Sequence, residues 1–375
     1  MSKISDLIAK LCPNGVEYKR VCDVFTRLRG TPITATKMKE IANPDGDVRI
    51  FAGGKTAVFA LEADIPNANV IRVPAVLVQS RGVIDFIFYD KPFTFKNEMW
   101  AYTADEVVSV KFLYYVLQSH AEKFRDAATA MGAFPQISLK VTEEFLIPVP
   151  PLEVQREVVE VLDKFALLTA ELTAELTAEL EKRKKQYEHY RDKLLNFRGG
   201  ALTAFSEHCV LMRGEYITKK DAASGDIPVI LGGQEPAYYI NRSNHQGKGI
   251  VISRSGASAG FVSYWDEPIF VTDGFIIETD DKLNIRFLYY WLKNLQGKLN
   301  GMKKGGGVPH ITGENLKSLK IPLPTLEKQA EVVALLDKFD KLCNDLTSGL
   351  PAEIAARKKQ YEYYRDKLLN FKRAA

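Results

Sequence analysis

The sequence predicts an α+β protein: two pseudo-repeated globular parts held apart by two long antiparallel helices that form a coiled coil. Three observations carry this. The stretch "RKKQYEHYRDKLLNF" at 183–197 returns at 357–371 as "RKKQYEYYRDKLLNF", with His189 replaced by Tyr363 as the one difference. The same offset of 174 residues aligns "IPVPPLEVQREVVEVLDKF" (147–165) with "IPLPTLEKQAEVVALLDKF" (321–339), identical at 13 of 19 positions. Each half also changes character at its IPxP element, from short β-branched runs to apolar residues spaced three and four apart. A period this long is a domain duplication, not a solenoid.

In the first half "VRIFAGG", "AVLVQS", "VIDFIFYD" and "FTFKNEMWAY", punctuated by Gly, Pro and Asp, read as strands. A helix near Val110–Met131 follows, then a Gly-Pro loop, "GAFPQIS" (132–138). In the second half "IPVILGG", "GIVISRS", "FVSYW" and "IFVTDGFIIET" play the same parts before a helix near Ile285–Leu299 and the loop "GGVPHIT" (306–312). "FLYYVL" (112–117) pairs with "FLYYWL" (287–292), and "RGTPIT" (29–34) with "RGEYIT" (213–218). Proline fixes φ and extends its predecessor, so IPVP and IPLP read as stiff exits. From Leu152 the stripe Val158, Leu162, Phe165, Leu168, Leu172, resumed by Tyr187, Tyr190, Leu194 and Phe197, predicts a helix of roughly 65 Å. Leu326–Leu346 and Ile354–Phe371 supply its partner, with a break expected at Ser348–Pro351. Tyr361, Tyr364 and Leu368 are the second copy's seam residues. The boundaries that result are 1–150 and 199–324 for the globular parts, and 151–198 and 325–375 for the helical ones. Two separate αβ domains, each with its own C-terminal helical hairpin, is the alternative.

Between Thr169 and Leu180 the helix reads TAEL three times, all good helix formers. Each four-residue copy adds about 6 Å of rise and about 40° of net rotation to an α-helix. One base pair of B-DNA adds ~3.4 Å and about 34–36°. Such a tract would change the separation of two DNA readers by about one base pair.

The chain's 375 residues, 46% hydrophobic and 26% charged, suit two or three domains of an ordinary globular protein. No apolar run reaches the ~18 residues of a membrane span, and "MSKISDLIAKLCPNG" lacks a signal peptide's apolar centre, so no membrane association is expected. Four cysteines without CxxC pairing fit a reducing cytoplasm and offer no zinc spacing. A net charge of +4 permits nucleic-acid binding without arguing for it. "FAGGKTA" has Arg49 where a P-loop needs glycine, and neither HExxH nor GxSxG occurs. No [DNS]PP[FY] segment or S-adenosylmethionine turn is present, and the five histidines are dispersed. The expectation is a chain without catalytic residues, metal or cofactor.

Taken together, the two G-x-x-P-x-I-[ST] loops, the two IPxPxLExQ…VVxxLDKF helices, "LCPNGVEYKRV", the RKKQYE copies and the TAEL tract resemble the specificity subunits of type I restriction–modification systems, in particular the TAEL-repeat group. Val154 and Lys328 depart from the Glu often found before the glutamine. The resemblance implies two target-recognition domains, each reading half of a bipartite, asymmetric site in double-stranded DNA. It implies two modification (adenine methyltransferase) subunits as partners, bringing S-adenosylmethionine, with ATP-driven restriction subunits as further partners. This chain would then be a non-catalytic, cytoplasmic scaffold. An orphan DNA-binding or regulatory module and a coiled-coil protein scaffold are the competing readings.

Sequence is read at base edges by Arg, Asn and Gln, while Lys and Arg on phosphates position the protein. In the first globular part the candidate DNA contacts are Arg29, Lys55, Gln79, Arg81, Lys96 and Asn97. In the second they are Arg213, Lys219, Gln234, Arg242, Asn244, Arg254, Ser255, Lys303 and Lys304, with "QSRG" and "SRSG" at matching places after a strand. On the helices, Arg183, Lys184, Lys185 and Arg191, with Arg357, Lys358, Lys359 and Arg365, are candidate partner contacts because the basic runs are repeated.

Overall fold

The computed structural model describes all residues but 1, 55, 132–133, 198–201, 219, 221–222, 233–234, 306–307, 346–347 and 375. The candidates Lys55, Lys219 and Gln234 therefore lie outside the described residues. The chain folds as two compact units, Met1–Ala174 with Ala355–Ala375, and Glu175–Ile354.

In the first unit a four-stranded antiparallel sheet runs in the order Thr26–Leu28, Trp100–Thr103, Ala75–Gln79, Asp85–Tyr89. Strand side chains alternate between faces, yet every residue of Ala75–Gln79 is buried, so both faces of this strand must be covered. Val76 and Val78 face a core containing Phe112, Leu113 and Val116 of the helix Val107–Ser119. Ala75 and Leu77 face Phe51, Phe93 and Phe95. Those phenylalanines belong to a second sheet, Ala57–Ala60, Val48–Phe51, Phe93–Phe95, whose last pair is parallel. This two-sided burial is why the sequence there reads as an unbroken apolar run. Tyr18–Arg20 pairs with Leu146–Pro148, Lys19 opposite Ile147, and ties the start of the unit to its IPxP exit.

The second unit repeats the plan. Its four-stranded sheet runs Cys209–Arg213, Gly274–Thr279, Lys248–Ser253, Val262–Asp266, and its three-stranded sheet runs Tyr238–Ile240, Ile227–Ile230, Phe270–Val271, again with one parallel pair. Ile250 and Ile252 face the core shared with Phe287, Leu288 and Leu292 of the helix Ile285–Asn294, while Val251 faces Ile230 and Val271. Leu202–Ala204 pairs with Lys320–Pro322, the counterpart of the first unit's tie.

The helices follow the expected spacing with three differences. The central helix, Leu152–Leu194, is unbroken through the TAEL tract. Its stripe, however, is buried only at Val158 and Leu162, whereas Leu168 and Leu172 are exposed. The region 110–131 is not one helix. Val107–Ser119 stops at His120, whose Nδ1 shares hydrogen bonds with the Val116 carbonyl and the Ser119 hydroxyl, each at 2.9 Å; a short helix Ala121–Asp126 and a strand Thr129–Met131 follow. Near 299 the chain likewise divides into Ile285–Asn294 and Gln296–Gly301. The break in the second rod falls between Leu326–Asn344 and Leu350–Leu369. Pro351 lies in a first helical turn, where its missing N–H costs nothing. Gly349 sits so close to the Lys341 and Asp345 carbonyls that a Cβ would lie 2.6 and 2.7 Å from them.

Each near-identical copy completes the other half's unit. In the first unit the end of the second copy packs on the domain: Leu368, Leu369 and Phe371 join the core of Phe112 and Val154, and the Phe371 and Phe112 rings are 6.1 Å apart. In the second unit the end of the first copy does the same, with Leu195 buried and Phe197 5.8 Å from Phe287. The pairs Phe165–Tyr364 (5.9 Å) and Phe339–Tyr190 (5.6 Å) are equivalent under the 174-residue offset. Burying one such aromatic contributes about 1.5–3 kcal/mol, so each copy is held by its own unit's core. Val16 then bonds to Lys372 and Ala374 through main-chain hydrogen bonds of 2.8 and 2.9 Å.

Candidate nucleic-acid interface

In both units the buried central strand ends in a tight loop capped by a hairpin. In the first, the Gly82 N–H donates to the Pro135 carbonyl (2.9 Å) and Ile137 N–H to Ser80 (3.0 Å), which sets Arg81 opposite Gln136. In the second, Gly256 donates to Pro309 (2.9 Å) and Ile311 to Arg254 (2.9 Å), which sets Ser255 opposite His310. Gly82 and Gly256 have φ of 79° and 81°, a left-handed backbone that suits only glycine well. The frame is therefore the same to the hydrogen bond, while the side chains on it differ. It keeps "QSRG" and "SRSG" in matching places, residue for residue: Arg81 corresponds to Ser255, and Arg254 to Ser80.

The first unit brings Gln79, Arg81 and Lys96 together. The Gln79 amide donates to the Gly54 carbonyl, so this buried side chain braces the 53–54 loop. Gly54 N–H in turn donates to the Arg81 carbonyl at 3.1 Å. Arg81 is exposed and, with Lys39, Lys96, Glu98 and Phe134, lines a cleft of about 400 Å³. Lys96 reaches Glu98 at 2.9 Å. Burial alone would raise the Glu98 pKa, but the Lys96 ammonium and backbone donors that include the Gly53 N–H hold the carboxyl below its ordinary value. Asn97 is exposed between them. Arg29, also exposed, stands apart from this cleft, its carbonyl accepting from Asn69 at 2.7 Å.

The second unit gathers Arg254, Ser255, Lys303 and Lys304. Arg254 pairs with Asp273 at 3.2 Å, Lys303 donates to the Ala257 carbonyl at 2.7 Å, and Lys304 exchanges main-chain bonds with His310. Arg213, Arg242 and Asn244 lie elsewhere. Asn244 is spent on the backbone of Val271, donating at 2.7 Å and accepting at 2.8 Å. Exposed Arg242 lies 3.6 Å from Glu215 and over the Phe270 ring. Arg213 is exposed.

Along the helices, Lys184, Lys185, Lys358 and Lys359 are exposed. Arg183 pairs with Glu179 (2.6 Å), and Arg357 donates to Gln360 (3.1 Å). Arg191 and Arg365 each bind the next aspartate and lie over Tyr187 and Tyr361. A second duplicated cluster lies at the seam, one that reading the sequence missed. Asp163 accepts from Lys111 (2.7 Å) and Tyr115 (2.6 Å), and Asp337 accepts from Arg286 (2.8 Å) and Tyr290 (2.5 Å). The repeated LDKF and FLYY words held the signal, since each supplies one partner. No helix among the described residues is long and apolar enough to cross a membrane.

Comparison with known proteins gives a consistent picture. The family model for the type I restriction modification DNA specificity domain matches residues 13–182 and 209–356. A putative type I restriction enzyme specificity subunit of Haemophilus influenzae is 36% identical over 73% of this chain and 76% of its own length. A putative type I specificity subunit of Mycoplasma pneumoniae is 32% identical over 70% of this chain and 83% of its own. The crystal structure of the S subunit of a type I restriction–modification system from M. genitalium shares the fold, with a TM-score of 0.58 at 20% identity over 95% of this chain and 96% of that one.

Proposed function

The chain belongs to the family of type I restriction–modification DNA specificity subunits, and we propose that it reads a bipartite, asymmetric duplex site, one half-site per globular part, while carrying two modification subunits. The observation that carries this reading is the common frame with unlike side chains. Arg81 and Gln136 in one unit, Ser255 and His310 in the other, stand on loops and hairpins of matching hydrogen bonding. Arg, Gln and Ser are base-edge readers, so the two frames would select different sequences. The helix copies, by contrast, keep even their exposed lysines, which suits two identical partners. In this reading the chain is non-catalytic and works in the cytoplasm. The modification subunits bring S-adenosylmethionine and methylate adenines, and restriction subunits that join bring ATP.

Co-expression with the cognate modification subunit, followed by mapping of methylated adenines across the host genome, tests this. The expected outcome is a two-part asymmetric motif with a fixed unread gap. A stable complex that binds DNA but adds no methylation would replace it with the orphan or regulatory module.

A further inference from the structure

Resting on that reading, we propose that Phe134 and Val308 are wedges that enter the stack of the bound duplex, one at each half-site. The two residues are equivalent under the 174-residue offset, and each directly precedes the proline of the capping hairpin. They are 56% and 65% exposed, apolar side chains held out to solvent, the first in the strand Phe134–Gln136 at a cleft that Lys39, Arg81 and Lys96 also line. A proline confines the residue before it to extended backbone geometry, so the direction in which the side chain leaves the chain is set before any DNA arrives. Arg81 pairs with Gln136, two residues past the first, and Lys304, next to Lys303, pairs with His310, two residues past the second. Such cations draw in phosphates, and of the apolar partners DNA offers such a tip (base faces, sugars and thymine methyls) the base faces are the largest and are present whatever the sequence.

The pairing also separates this role from base reading. Positions that would read sequence differ between the units, Gln136 against His310 and Arg81 against Ser255, whereas the tip stays apolar. A position that stays apolar while the reading positions beside it change serves a task common to both half-sites, as do the proline and isoleucine that hold the hairpin. Methylation of a base in duplex DNA requires that base to leave the stack, and a wedge at the neighbouring step lowers the cost of unstacking. Phenylalanine covers more of a base than valine, so the half-site read by the first unit is the more distorted.

The test uses the full-length chain assembled with its modification subunits, on duplexes of the mapped motif carrying the fluorescent analogue aminopurine in one half-site or the other. Phe134→Ala should lower affinity about tenfold or more and remove the aminopurine brightening from one half-site only. Val308→Ala should do the same, more weakly, at the other, and Phe134→Trp should retain the signal. The slope of affinity against salt should stay as in the parent complex, because no phosphate contact is lost. Undiminished brightening in Phe134→Ala overturns the wedge, as does a variant that loses its partner subunits rather than its DNA signal. A parent complex that does not distinguish its motif from random duplex overturns the recognition reading and the wedge with it. A discriminating parent with an indistinguishable variant overturns the wedge alone.

Discussion

At the scale of single residues, the repeated RG pair has a steric cause. Gly30 lies against the strand Phe93–Phe95 so closely that a Cβ would come within 1.9 Å of the Phe95 carbonyl oxygen; at Gly214 the corresponding distance is 2.5 Å, to Val271. The next residue in each case donates its N–H to that same carbonyl, Thr31 at 2.8 Å and Glu215 at 3.0 Å. The glycine lets the backbone approach, and the hydrogen bond holds it there. Neither the strand nor the loop has room to retreat without breaking that bond. Gly30→Ala and Gly214→Ala should therefore each cost about 3 kcal/mol in urea unfolding, whereas Gly54→Ala meets no atom within 4 Å and carries only its backbone strain. Equal stability for Gly30→Ala and the parent chain would show that the contact relaxes freely. The motif was visible in the sequence as RGTPIT and RGEYIT. Its reason was not, because the obstructing carbonyl is some sixty residues away in the chain.

At the scale of elements, the seam between each globular part and its helices is ionic and phenolic. Tyr115 and Tyr290 are driven up in pKa, first by burial and then by donating to Asp163 and Asp337. Burial also raises Tyr187, and pushes Tyr361 and Tyr102 to about 12. A phenol whose folded pKa is raised contributes stability that is complete below its unfolded value and lost as pH rises towards the folded one. The loss should therefore begin near pH 10 and deepen towards about pH 12. Lys293, lowered by burial, acts in the opposite sense, but it stands against these phenols and against Tyr18, Tyr114, Tyr264 and Tyr289, which burial also raises. Tyrosinate absorbance and circular dichroism followed together should show the buried phenols ionising only as the helices melt. Ionisation of every tyrosine near pH 10 with the fold intact would contradict the burial. These seams mark the edge of what periodicity reveals. The helix Leu152–Leu194 was legible because its stripe is long. The stop at His120 was not, because the apolar spacing runs past it and a local side-chain bond ends the helix. The strand Thr129–Met131 needs its partner at Phe134–Gln136 before it has any reason to exist.

At the scale of the whole molecule, duplication was written plainly in the sequence, but the exchange of copies was not. An offset of 174 residues says that two segments are alike and leaves open which unit each completes. Topology decides it: Phe371 packs on Phe112, and Phe197 on Phe287. The fidelity of the copies follows, since both must fit equivalent pockets as well as present equivalent exposed lysines. The candidate DNA contacts were legible as residue types near turns. Their division into exposed side chains such as Arg81 and braces such as Gln79 and Asn244 required the neighbouring backbone. The central helix is also a covalent link between the units, and it is helical through every TAEL copy. A deletion there cannot be absorbed as loop slack. Removing Thr177–Leu180 takes about 6 Å of rise and about 40° of net rotation from the link, close to the ~3.4 Å and roughly 34–36° of one base pair in angle and of the same order in length. The shortened chain, co-expressed with its modification subunits, should methylate a motif with both half-sites unchanged and an unread gap about one base pair shorter. The rotation makes this more than a matter of reach, because a reader turned by one base pair's twist meets the same groove again. An unaltered gap would mean that the helix does not set the spacing, and altered half-sites would mean that the deletion had reached the reading frames themselves.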